Sequence, residues 1–208
     1  MVESLAMIAI AFSCKIATIE KYQRMNLTDK QKGVVRGVVP AAVLVLVGLC
    51  GVPFLIPLSV LPMDEPGARL AWALQWSLLP VLTLIIAVMR VGNYRFSSPE
   101  DIDGSGLTNA TPQIQILRAV LQNTLEQTVL ASGAYLIWAA AMPLHWLRAI
   151  PVAALLFVTG RVLFARGYHE GAAGRALGFA LTMYATAGML ATLGAVLSYR
   201  ILAWAIMR

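Results

Sequence analysis

The chain has 208 residues, of which 59% are hydrophobic and only 12% charged, with a net charge of +6. A soluble domain carries about 45–50% apolar and about 25% charged residues, so a water-soluble globule is excluded and the composition is that of an integral membrane protein. Two cysteines, Cys14 and Cys50, exclude a disulfide framework, and neither has Cys or His nearby at metal-ligand spacing, so no metal site is expected.

The chain opens MVESLAMIAIAFSCK, an apolar stretch short for a membrane span and without a basic leader. Residues 1–33 are therefore expected to form a cytoplasmic or interfacial segment. A span needs about 20 apolar residues, and five stretches qualify. The first, Val34 to Leu61, contains Pro40, Pro53 and Pro57 and is expected to be a bent helix. The others are Leu70 to Met89, Ile114 to Ala141, Leu147 to Ala165 and Ala176 to Ile206. Pro62, Pro66, Pro143 and Pro151 mark boundaries, and the one long polar connection is Asn93 to Pro112.

Lys and Arg concentrate on the cytoplasmic side of membrane proteins. With the N-terminus cytoplasmic, Lys15, Lys21, Arg24, Lys30, Lys32, Arg36, Arg90, Arg95, Arg118, Arg161, Arg166 and Arg175 lie on that side. Arg69, Arg148, Arg200 and Arg208 fall on the other, a bias of 12 to 4. The basic balance is thus a topology signal with some attraction to anionic lipid headgroups, and nucleic acid is not implied.

A charged side chain near the bilayer centre costs at least about 2.5–3.5 kcal/mol, so polar residues inside spans carry information. The third span reads QIQILRAVLQNTLEQTVLASGAYLIWA, in which Asn123 and Glu126 share a helix face. Arg161 in the fourth span is the natural cationic partner for Glu126, and Tyr168 follows it by seven residues. After Gly171 and Gly174, Arg175 opens the fifth span. These residues belong to the cytoplasmic ends of three helices and are expected to converge on a polar pocket. The blander alternative is that the arginines are flank residues and the Glu126–Arg161 pair is purely structural. His169, His145 and the tryptophans fit interfacial or packing roles.

The run RAVLQNTLEQ followed by GRVLFARGYHEGAAGRALG resembles the MAPEG family, the membrane-associated proteins in eicosanoid and glutathione metabolism. That family has an N-x-x-E element on its second helix, a G-R run ending in Tyr on its third, and an arginine entering its fourth. Asn123 and Glu126, then Gly160, Arg161 and Tyr168, then Arg175 match these in order, over roughly Leu70 to Arg208. The resemblance implies an all-α fold: a four-helix MAPEG-like bundle over residues 68–208, plus one extra N-terminal transmembrane helix over residues 34–61. The chain also departs from the pattern. Arg118 lies five before Asn123 where members often have it four before, a turn of about 140° instead of about 40°. Gln122 stands where a second arginine or histidine is common.

Implied with the fold are a homotrimer in a bacterial inner membrane, glutathione as co-substrate, and a lipophilic electrophile arriving from the lipid. The activity would be a glutathione transferase or peroxidase. Arg175 and Tyr168 would be catalytic, with Asn123, Glu126, Arg161 and Arg118 binding the tripeptide. Two alternatives remain: a binding protein of the same fold without turnover, and a small transporter using Glu126 and Arg161 as a relay. Paired broken spans or internal symmetry, which a transporter would favour, are absent from the sequence.

Overall fold

The computed structural model describes residues 27–104, 107 and 109–207. The expected interfacial segment therefore falls mostly outside the described residues, as do Cys14, Lys15, Lys21, Arg24 and Arg208. Among the described residues five α-helices follow one another: α1 (Asp29–Cys50), α2 (Pro66–Ser97), α3 (Pro112–Ala141), α4 (Ala149–Gly167) and α5 (Gly171–Ile206).

Local sequence sets the helix starts. Thr28 and Gln31 form a reciprocal capping box ahead of α1, and Thr111 caps α3 by accepting from the Ile114 amide. Pro66 and Pro112 sit at the first helical positions, where a missing N–H costs nothing. The first span differs from its expectation. Its helix starts at Asp29 and stops at Cys50, so Pro53 and Pro57 do not bend a helix but follow its end, Pro53 within a short 3-10 turn (Val52–Leu55) and Pro57 just ahead of a second (Leu58–Val60). A proline removes a donor and disfavours helical geometry in the residue before it, which suits a stop after Gly51. α1 is then about 33 Å long at 1.5 Å per residue, matched to a hydrocarbon core of about 30 Å. α2 in turn runs eight residues beyond the expected Met89, which carries Arg90 and Arg95 on helix rather than loop.

Among the described residues three stretches are long and apolar enough to cross a membrane: Asp29–Leu55, Pro66–Ser97 and Leu144–Ile206, the last holding both α4 and α5. α3 has the length, at 30 residues, but Gln122, Asn123, Glu126 and Gln127 lower its hydropathy. It relies on its neighbours for cover.

The helices pair as two hairpins, α2 with α3 and α4 with α5, packed so that α2 meets α4 and α3 meets α5. α1 lies outside this bundle, mainly against α5. Glycine lets α4 and α5 approach closely. A Cβ on Gly160 would stand 2.8 Å from the Gly178 carbonyl oxygen, and one on Gly178 would stand 2.2 Å from the Phe164 nitrogen. Small residues replace side-chain bulk with backbone contact where lipid offers no hydrophobic drive to association. The hairpin turns through Tyr168–Glu170 and Gly171, whose φ of +78° suits glycine.

Arg161 pins three helices together. It sits on α4, is 4% exposed, and donates from Nη1 to Asn123 Oδ1 of α3 at 2.8 Å and from Nη2 to Thr182 Oγ1 of α5 at 2.7 Å. Its guanidinium also lies 4.5 Å from the centre of the Phe164 ring, within cation–π range.

At the other end of the bundle, arginines hold carbonyls. Arg69 of α2 donates from Nε to Ala139 O at 2.8 Å, from Nη2 to Met142 O, and pairs through Nη1 with Asp64. Arg148 donates to Ile56 O at 2.9 Å and Arg200 to Ala141 O at 3.0 Å. Several of these acceptors are carbonyls at the end of α3, where no further turn supplies a donor.

The α2–α3 connection is closed by Asp101, 2% exposed. It accepts from Thr111 Oγ1 at 2.6 Å, from the Thr111 amide at 3.1 Å and from Ser98 Oγ at 3.1 Å. These bonds, the Thr111 hydroxyl first, hold its carboxyl below the usual carboxylate range against the opposing effect of burial.

Two outcomes follow. Because the folded pKa of Asp101 is depressed, its contribution to loop stability is present above the ordinary carboxylate value of about 3.9 and is lost as pH falls through the folded value. Hydrogen exchange at the Thr111 amide is expected to accelerate over that acid range, beyond the intrinsic pH dependence of exchange, and Asp101→Asn to remove that extra dependence. For the pin, Arg161→Met is expected to destabilise the protein by about 1–3 kcal/mol. In thermal unfolding in detergent, Arg161→Met and Asn123→Ala should be strongly non-additive; simple addition would show that the bond between them contributes nothing.

Candidate functional site

The helix ends that the charge bias assigns to one side of the membrane line an open cavity. It has a volume of about 380 Å³ and is lined by Val34 and Val38 of α1, Ala119 and Asn123 of α3, Phe164 of α4, Tyr168, and Ala172, Arg175, Ala176 and Phe179 of α5. Three of the six sequence-predicted site residues, Asn123, Tyr168 and Arg175, share this one space.

Arg175 is half-buried one turn into α5, and its guanidinium lies 4.6 Å from the centre of the Tyr168 ring. That stacking fixes the plane of the fork without using its donors, and Arg175 makes no hydrogen bond or ion pair among the described residues. The guanidinium is therefore a cation presented to the cavity with its N–H groups free. Tyr168 is itself held edge-on by Phe164, with ring centres 5.5 Å apart. The turn that sets this geometry is tight, for a Cβ on Gly167 would stand 2.1 Å from the Gly174 carbonyl oxygen.

Asn123 shows the cavity one side of a carboxamide whose oxygen is already held by Arg161. Arg161 is not in the cavity wall. It lines a smaller space of about 170 Å³ with Arg90, Thr124 and Arg166 among others, and its Nη1 and Nη2 are engaged by protein. The expected partnership of Arg161 with Glu126 does not form. Glu126 is exposed and accepts from Gln122 Nε2 at 3.0 Å, one turn back on its own helix. The reason is angular: Glu126 lies about 60° around α3 from Asn123, at 3.6 residues per turn, and only Asn123 faces α4. Arg118 is exposed and without a hydrogen bond or ion pair among the described residues. In the single chain, Arg118, Gln122 and Glu126 thus share an open strip of α3 outside the cavity.

Several contributors carried no signal in the sequence. Thr182 looks like any threonine in an apolar helix, where the hydroxyl ordinarily bonds its own preceding turn. Phe164 and Phe179 read as core aromatics. Val34 and Val38 belong to a helix with no polar residue facing the site, although their spacing of four does place them on one face.

A second, apolar cavity of about 260 Å³ lies toward the other end between α1, α4 and α5, lined by Leu49, Cys50, Trp138, Trp146 and Tyr184 among others. It shares no residue with the first.

No curated protein and no solved structure matches the chain. The sequence model of the MAPEG family matches residues 71–195, more than half of the chain, spanning α2 to most of α5 and leaving α1 outside. The order of Asn123, Arg161, Tyr168 and Arg175 along three packed helices agrees with that match: the chain belongs to the MAPEG family.

Proposed function

We propose that the protein is a glutathione-dependent membrane enzyme, a transferase or peroxidase of lipophilic electrophiles, working through a thiolate stabilised by Arg175. The observation that supports this most is a guanidinium stacked on Tyr168, without a hydrogen-bond partner among the described residues, in a cavity that also holds Asn123. Only the thiolate of glutathione is nucleophilic, and a free thiol has a pKa near 8.5. Lowering it by about two units takes about 2.7 kcal/mol of preferential thiolate stabilisation. A cation in a partly dehydrated cavity supplies interaction of that order, and Tyr168, which lines the same cavity, would donate from its hydroxyl. In transfer, the sulfur forms a bond to the electrophilic carbon as the leaving group departs with its electron pair. With a peroxide, sulfur attacks oxygen, the O–O bond breaks, and the released alkoxide takes a proton; a second thiol then reduces the sulfenic acid. Arg161 acts in this scheme by orienting Asn123.

The tripeptide also carries two carboxylates and an ammonium. Arg118 and Glu126 suit those groups, yet both lie on the open strip of α3. Glu126 is midway along α3, at a depth where a carboxylate facing lipid is costly. We infer that a neighbouring copy covers this strip in a homotrimer and completes the glutathione site. The N-terminus is placed in the cytoplasm, so that the cavity opens to the glutathione pool. A binding protein without turnover is the second reading, favoured by Gln122, which occupies Glu126 by hydrogen bonding.

If Arg175 stabilises the thiolate, Arg175→Ala should raise the pKa of bound glutathione, followed by ultraviolet thiolate absorbance against pH, and cut turnover at neutral pH by about 25-fold for a rise from about 6.5 to about 8.5. Binding should weaken much less, and the deficit should narrow as pH rises, because solvent then removes the proton. Arg175→Lys should recover part of the loss. Equal loss of binding and turnover at every pH would make Arg175 a docking residue. Separately, reporter fusions after Arg95 should behave as cytoplasmic and fusions within residues 62–67 as external; the reverse pattern would overturn the topology.

A further inference from the structure

α1 lies outside the family match at residues 71–195, yet it is built into the cavity. Its contact with α5 begins at Gly33 and Gly37, a pair with four-residue spacing. A Cβ on Gly33 would stand 2.7 Å from the Ala173 Cβ, and one on Gly37 would stand 2.9 Å from the Leu177 nitrogen and 3.0 Å from the Ala176 Cβ. Further along, Ala41, fully buried, and Val45 continue the seam onto Ala180, Leu181 and Ala185. The seam sets both the depth and the rotation of α1, because neither glycine position has room to slide. With that rotation fixed, Val34 and Val38, one turn apart, face the same space as Asn123, Tyr168 and Arg175.

We propose that α1 is the specificity element of this site, with Val34 and Val38 forming the apolar wall against which the non-reacting part of the substrate lies. The proposal deepens the glutathione reading and rests on it for the identity of the nucleophile. The wall has no donor or acceptor of its own, so it rewards apolar bulk of the right size and gives nothing to a polar group. The polar residues of the site come from α3, the α4–α5 turn and α5, and α1 contributes only side-chain volume. The substrate class is accordingly a lipophilic electrophile whose tolerated size is set at positions 34 and 38. Discrimination of one or a few methylenes by such a pocket is worth about tenfold or more.

The test uses the full chain in detergent, with Cys14 and Cys50 changed to Ser and an Ala119→Cys substitution placing a thiol in the cavity wall. Its rate of alkylation is measured with N-methyl-, N-ethyl-, N-cyclohexyl- and N-phenylmaleimide, a size series that needs no glutathione. Val38→Ala and Val34→Ala are expected to raise the rate for the bulky maleimides about tenfold relative to N-methylmaleimide, and Val38→Phe to lower it by a similar factor. Gly37→Leu, which displaces α1, should abolish size selection. In the chain with Ala119 intact, the glutathione-dependent rate order for aryl halides of increasing alkyl bulk should shift with the valine variants in the same sense, with KM for glutathione unchanged. Unchanged maleimide selectivity in the valine variants would overturn the inference. Altered maleimide selectivity without any turnover in the parent chain would support the wall and instead reject the glutathione reading.

Discussion

The bundle depends on one buried cation. Arg161 stands in a helix with almost no other polar atoms and reaches a carboxamide on α3 and a hydroxyl on α5. A guanidinium suits this position because its donors diverge in a rigid plane, so one side chain spans two helices where an ammonium would act as a point. The aromatic rings of Phe157 and Phe164 close over its faces. Such an arrangement needs α4 and α5 to be unusually near each other, and Gly160 and Gly178 provide that proximity. Backbone contact and buried charge are therefore parts of a single solution. Neither is stable without the other: open spacing would strand the guanidinium, and bulk at either glycine would push Thr182 away.

The arginines divide by what they do rather than by side alone. Arg69, Arg148 and Arg200 terminate backbone ladders at one end of the bundle, where carbonyls of α3 and of the Val52–Leu55 region would otherwise lack donors. At the other end, Arg161 is consumed by structure, whereas Arg175 makes no hydrogen bond or ion pair among the described residues. That contrast separates an arginine engaged by packing from one facing a cavity more sharply than distance to the membrane surface does.

Much of this was legible in the sequence. The spacing of Asn123, Tyr168 and Arg175 on successive helices was enough to place them together, because helix periodicity fixes faces and short connections fix neighbours. The Glu126–Arg161 pair was misjudged since opposite charge was weighed above angle; the neutral Asn123 faces α4 and takes the donor, leaving Glu126 on an open strip. The end of α1 was misplaced because apolar content continues through Leu61 while hydrogen bonding does not, and Gly51 and Pro53 decide the matter. Arg69, which sits among residues that look like a boundary, gave no sign of its reach to the carbonyls of Ala139 and Met142. Long-range acceptors of this kind are set by tertiary packing, and no local pattern encodes them.

The cavity draws Asn123 and Ala119 from one hairpin and Phe164, Tyr168 and Arg175 from the other, with α1 laid against the second. Neither hairpin closes the cavity by itself. Helices that insert into a membrane as independent units assemble laterally afterwards, so this cavity comes into being only at the final docking of two preformed halves. A chain whose hairpins have not docked would keep the Arg161–Thr182 contact within one hairpin but lack both the bond to Asn123 and the wall that Ala119 and Asn123 supply. A ligand that fills the finished cavity would favour the docked arrangement by mass action.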